Sequence, residues 1–150
     1  MRSVLFTVGH GATPFYDLLR RLQSHGVRMV LDVRSQPYSS RAPHYNKSEL
    51  EAELIAAGIS YRWLGDRLGG KPLQPGGQVP IEDEARLAAG VTDAAGLARG
   101  ATSALLCAEL DPSHCHRTTP LATAFEDEGF TVVHILEDGT ARTHQPTLGL

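Results

Sequence analysis

Apolar positions recur along the chain in two alternating rhythms. Short runs rich in apolar residues at Val4–Val8, Val27–Val33, Ile59–Leu64, Ser103–Ala108 and Phe130–Leu136 have the length of strands. The unbroken Met29-Val-Leu31 suits a strand covered on both faces, as in a parallel sheet. Between these runs the spacing lengthens to a helical one. Phe15, Leu18, Leu19 and Leu22 follow Thr13-Pro14, which reads as an N-cap and first-turn proline, and Gly26 stops them. Leu50, Leu54, Ile55 and Ala57 follow Asn46, with Glu49 placed as in a capping box, and end at Gly58. Ile81–Ala89 and Val91–Ala98 read as two short helices broken at Gly90, and Leu121–Glu128 as a helix stopped by Gly129. Arg34–Tyr45 reads as a long loop, and Gly65–Pro80, rich in Gly and Pro, as irregular.

This order predicts an α/β fold. The expected architecture is a single three-layer domain over residues 1–137, with a mostly parallel five-stranded sheet and helices on both faces. Residues 138–150 lack periodicity and are expected to form a loosely held tail. Strand order stays open.

Composition narrows the classes. Of 150 residues, 41% are hydrophobic and 21% charged, a soluble globular mixture that excludes disorder and collagen-like repetition. No apolar run approaches the roughly 18 residues that span a bilayer, so no membrane partner is expected. The first ten residues lack the apolar core and cleavage site of a secretory signal, and the expected location is cytoplasmic. Fourteen Lys and Arg stand against 17 Asp and Glu, a net charge of −3 that argues against a general nucleic-acid coat. Two cysteines in a reducing compartment are expected as thiols, not a bridge.

In an open parallel sheet, ligands bind beyond the carboxyl ends of the strands. Those ends carry Gly9-His10, Asp32-Val-Arg34 and Cys107-Ala-Glu109, and the loop after the last of these carries His114-Cys-His-Arg117. Pro120 belongs in the first turn of a helix, which places a helix start near Cys115–Arg117. Amides there favour an anion, Arg117 adds a bidentate donor, and the same field favours a Cys115 thiolate. His10, Cys115 and His116 are therefore the candidates for catalytic work. A phosphatase-type loop is excluded, because no Arg stands six positions after either cysteine. A metal site would use Cys107, Cys115 and His116, with zinc or iron as the ion, but paired Cys-x-x-Cys spacing is lacking. No cofactor is otherwise expected. The plainer reading of Cys107 is a small buried strand residue.

The Arg34–Lys47 segment holds Arg34, Arg41, His44 and Lys47 with Tyr38 and Tyr45 and no acid. Guanidinium groups among aromatics suit a phosphate or a stacked base. A solvated loop is the plainer reading. Trp63 reads as core. Asp32, Arg34, Arg41, His44, Glu109 and Arg117 are the candidate ligand-binding residues. The expected partner is a small anion, a nucleotide or a short nucleic acid. A homo-oligomer and a non-catalytic regulatory module both fit.

Thr7-Val-Gly-His10, Leu31-Asp-Val-Arg34-Ser-Gln-Pro37, His44-Tyr-Asn-Lys47, Leu64-Gly-Asp-Arg-Leu-Gly-Gly70 and Leu106-Cys-Ala-Glu-Leu-Asp-Pro-Ser-His-Cys-His-Arg117 occur in this order. Together, from about Leu5 to His134, they resemble the domain-of-unknown-function family 488. That resemblance implies a compact α/β domain of a bacterial and archaeal family for which no general activity is established. A further likeness, at the level of fold, is to rhodanese-like domains. It implies sulfur carriage on Cys107, although here Arg117 follows ten residues later instead of close behind.

Overall fold

A computed structural model describes residues 3–69, 81–112 and 118–145. Six strands form one sheet: β1 (Ser3–Gly9), β2 (Met29–Asp32), β3 (Ser60–Trp63), β4 (Ser103–Cys107), β5 (Phe130–Ile135) and β6 (Ala141–Thr143). Their order is β3-β2-β4-β1-β5-β6. The first five run parallel, and β6 pairs antiparallel with β5. The described helices are α1 (Phe15–Ser24), α2 (Lys47–Ala56), α3 (Gly65–Leu68), α4 (Ile81–Gly100) and α5 (Thr118–Asp127), with a 3-10 turn at Pro43–Tyr45. The α/β domain with a mostly parallel sheet is as expected. The five-stranded expectation is corrected to six. β6 escapes a pattern search because all three of its residues are exposed.

Two apolar layers cover the sheet. Leu18 and Leu22 of α1 and Leu50 and Leu54 of α2 pack with Val8, Val30, Leu106 and Ile135. On the other face α4 buries Val91, Ala94, Ala95 and Ala98, one helical stripe, and α5 buries Leu121, Ala122 and Phe125 against Leu5, Leu31, Leu105 and Val132. Connections from β1 and β2 thus cross one face, and the connection from β4 crosses the other. Since β4 lies between β1 and β2, the chain diverges where these three strands end, which is a topological switch point. Backbone pairing closes that edge, with the His10 amide donating to the Cys107 carbonyl at 3.0 Å and the Gly11 amide to Ala108 at 2.8 Å. Gly9 is required there, because a Cβ would lie 1.7 Å from the Glu109 carbonyl oxygen.

Local structure departs from the sequence pattern where side chains find tertiary partners. α4 runs unbroken through Gly90, since one glycine costs a helix only about 1 kcal/mol. Gly90 is instead the seat of α3: a Cβ there would stand 2.9 Å from Arg67 Cβ and from Leu68 Cδ2. Residues 65–68, expected to be irregular, are helical, and their Arg67 pairs with Asp93 of α4. Asn46 does not cap α2 through its side chain, because its Oδ1 accepts the Ser39 amide at 2.7 Å. Thr13 does not cap α1 either. Its hydroxyl donates to the His10 carbonyl at 2.7 Å, and extended Pro14 takes the cap position.

The two glycines of α4 give a paired prediction. Gly96 faces open space, so Gly96→Ala should stabilise the fold by about 0.5–1 kcal/mol through helix propensity. Gly90→Ala should destabilise it despite the same propensity gain. Urea unfolding of the two variants checks the opposite signs.

Candidate functional site

Asp32 ends β2, and its side chain takes the α1–α2 face, as does that of Val30. Val33 turns to the opposite layer, and Arg34 returns to the first face. This two-residue spacing lets the guanidinium fold back on the carboxylate. Arg34 Nε donates to Asp32 Oδ1 at 2.9 Å and Nη2 to Oδ2 at 2.8 Å, and the Arg34 amide adds a bond to Oδ1 at 3.1 Å. The pair is buried, with Asp32 at 0% and Arg34 at 8% exposure. From β3, the Tyr61 hydroxyl donates to Asp32 Oδ2 at 2.5 Å. Trp63 Nε1 donates to the Arg34 carbonyl at 2.8 Å. Burial alone would lower the Arg34 pKa, but the bonds and charge of Asp32 outweigh it and hold it above the ordinary value. Burial, then the bond to Asp32, raises that of Tyr61.

The network reaches β1 through His10. Arg34 Nη1 donates to His10 Nε2 at 3.2 Å, and His10 Nδ1 lies 2.6 Å from the Gly11 carbonyl. A guanidinium only donates and a carbonyl only accepts, so the proton sits on Nδ1. Burial pushes the His10 pKa down to about 4, against the pull of the Gly11 carbonyl and with help from the Arg34 charge. The ring lies 4.5 Å from that of Tyr45, which lies 4.2 Å from that of His44. Thr13 spends its hydrogen on the His10 carbonyl, so the Tyr45 hydroxyl is the donor in their 3.3 Å contact. His44 is exposed and donates from Nε2 to the Thr13 carbonyl at 2.9 Å, tying the loop after β2 to the loop after β1. Arg21 of α1 is buried beneath, donating to the Gly9 carbonyl at 2.9 Å.

Of the residues picked from sequence, the fold brings His10, Asp32, Arg34 and His44 together. Arg41 is exposed on the same loop. Glu109 is exposed, and its carbonyl packs on Gly9. Cys107 packs into the opposite apolar layer, so its thiol and the Asp32–Arg34 pair lie on different faces of the sheet. Its Sγ stands 3.8 Å from the Val8 carbonyl and 3.6 Å from that of Glu109. Cys115, His116 and Arg117 lie outside the described residues, as does the helix start expected at 115–117. Among the described residues no three His, Cys, Asp or Glu side chains are grouped to hold a metal ion. Tyr61, Thr13 and Arg21 were missed. Only Arg21 carried a signal, as an arginine between Leu18 and Leu22 on the apolar stripe of α1.

Two predictions follow from this geometry. Asp32→Ala would strand a buried guanidinium and should destabilise the fold by about 3–5 kcal/mol in urea unfolding, whereas Tyr61→Phe should cost about 1–3 kcal/mol. The unfolded His10 binds a proton near pH 6.5 and the folded one only near 4. Stability is therefore complete above that upper value and falls as the pH drops toward the lower one, by at most about 1.4 kcal/mol per pH unit for this ring. His10→Gln should remove one proton's share of the slope, read from urea midpoints between pH 7 and 4.5.

Comparison with curated proteins gave no match, and neither did comparison with solved structures. One family model does match, over β2, β3 and the loops that carry Arg34 and His44 but short of both the β1 motif and the loop after β4. That model is described as Domain of unknown function DUF488 and matches residues 14–75.

Proposed function

We propose that the protein binds a small anion of phosphate or carboxylate type at the carboxyl edge of the sheet, over Arg34 and between the loops that follow β1 and β2. One observation carries this reading. Arg34 has five N–H donors, and the structure uses three, two on Asp32 and one on His10. The Tyr61 hydroxyl is a further acceptor beside the guanidinium, on an arginine that is only 8% exposed. A guanidinium fixed by a bidentate partner at the carboxyl edge of the sheet makes a pre-oriented anion donor. Exposed Arg41 and His44 supply the rim, and Tyr38, also exposed, offers a ring for a base. The ligand is thus a phosphorylated metabolite or a nucleotide, and the acidic net charge disfavours long nucleic acid. Both His10 nitrogens are bonded, which favours binding over proton transfer through that ring. By sequence, Arg117 is the further cation of the loop after β4.

Thermal denaturation with inorganic phosphate, pyrophosphate and a nucleoside triphosphate tests the reading. A binder at one hundred times its dissociation constant should add about 2.7 kcal/mol. Arg41→Ala combined with Arg117→Ala should weaken that ligand at least tenfold. No shift beyond that of chloride at equal ionic strength, or unchanged binding by the double variant, overturns it.

A further inference from the structure

A second buried polar group lies on the opposite face of the sheet, outside the site above. Thr7 Oγ1 of β1 stands 2.5 Å from His134 Nδ1 of β5, and His134 Nε2 stands 2.8 Å from Nδ1 of His144, which follows β6. The two rings meet edge to face at 5.0 Å. Thr7, His134 and His144 are 5%, 4% and 8% exposed. The chain of bonds ends at His144 Nε2, which is buried with no hydrogen-bond partner among the described residues.

The attachment of β6 depends on this chain. Across residues 141–145 only His144 is buried. Its amide donates to the Val132 carbonyl at 2.8 Å, and the pairing with β5 spans only Ala141, Arg142 and Thr143. The hairpin turn provides a hinge, with Gly139 at φ +90° and the Leu136 amide bonded to the Thr140 carbonyl at 2.8 Å. We infer that β6 is a proton-released latch, held on β5 while the His134 ring buried against His144 is neutral and detached when His134 takes up a proton.

The proton count gives the direction. Two neutral imidazoles share one hydrogen across their 2.8 Å contact, and either tautomer leaves His144 Nε2 unpaired. A proton added to His134 puts a charge in this buried pair. The surroundings do not compensate. Arg142 of β6 is a like charge beside His134, β1 offers only the Thr7 hydroxyl, and α5 presents Leu121, Ala122 and Phe125 to this layer. Burial first, then His144 and Arg142, push the His134 pKa down to about 4. Opening β6 hydrates both rings and the stranded Nε2. The other titratable groups at the hairpin do not reverse this. His25 contacts the Gly139 carbonyl through Nε2 at 2.8 Å, and exposed Asp138 bonds Thr140 within the turn.

Hydrogen exchange of the whole chain, corrected for intrinsic rates, tests the latch. Protection of the His144 and Leu136 amides should fall by up to tenfold per pH unit from pH 6.5 to 5, while the β4 amides keep theirs. His134→Gln, which keeps a donor and an acceptor without titrating, should flatten that dependence. If this variant does not fold, the wild-type ring resonances are followed instead: protonation of His134 should coincide with loss of His144 amide protection. Protection of β6 that is constant over this range, or lost together with that of β4, overturns the inference. So does an undiminished pH dependence in the folded variant, or protonation of His134 with β6 still protected.

Discussion

The Asp32–Arg34 ion pair is the constraint on which the edge of this sheet depends. A buried pair of this kind is poor value as a source of stability, because desolvating both ions offsets most of their attraction. Its effect is positional. One carboxylate takes two guanidinium bonds, one amide and the Tyr61 hydroxyl, so β2, β3 and the start of the following loop share a single anchor. The backbone of Arg34 is held from the other side by Trp63 and by Gly65, where a Cβ would stand 1.8 Å from the Arg34 carbonyl oxygen. A third strand end joins when Arg34 reaches His10. Three loops that are distant in sequence are thereby fixed relative to one guanidinium.

Topology then divides the chemistry of that edge. α1 and α2 cover one face and α4 and α5 the other, so side chains at neighbouring strand ends part company according to strand alternation. Asp32, Arg34 and His10 gather on the first face. Thr7, Cys107 and His134 take the second, with Leu5, Leu105 and Val132. Proximity along an edge is therefore not proximity in a pocket. Gly9 shows how tight the division is, since the backbone after β4 occupies the place where a side chain on β1 would be.

Apolar runs were enough to place five strands and the principal helices, because burial on a sheet imposes its period on the sequence. Asp-Val-Arg could be picked out because its two charges stand at the end of an apolar run, the edge where a parallel sheet binds its ligands. What escaped was set by partners that sequence does not pair. β6 has no buried residue to give it a period. Gly90 reads as a helix breaker until α3 is seen to need the space. Asn46 matches a capping box, yet Ser39 takes its oxygen first. Tyr61 sits on an alternating strand like any core tyrosine, and only its registration opposite Val30 brings the hydroxyl to Asp32. His134 and His144 are ten residues apart across a hairpin, a separation with no motif attached.

The two buried imidazoles with depressed pKa values differ in a way that distance alone does not reveal. His10 and His134 are each held neutral by burial, down to about 4. His10, however, is bonded on both nitrogens by groups that are themselves fixed, a backbone carbonyl and a guanidinium already clamped by Asp32. Its neutral form is built into the anchor, and protonating it opposes Arg34 without offering a local escape. His134 leans on His144, whose second nitrogen has no partner among the described residues and which follows a strand with no buried side chain. A proton there can be accommodated by opening a short edge strand instead of unfolding the domain. The same residue type at the same depth is rigid on one face and yielding on the other, because the bond network is closed in the first case and open-ended in the second.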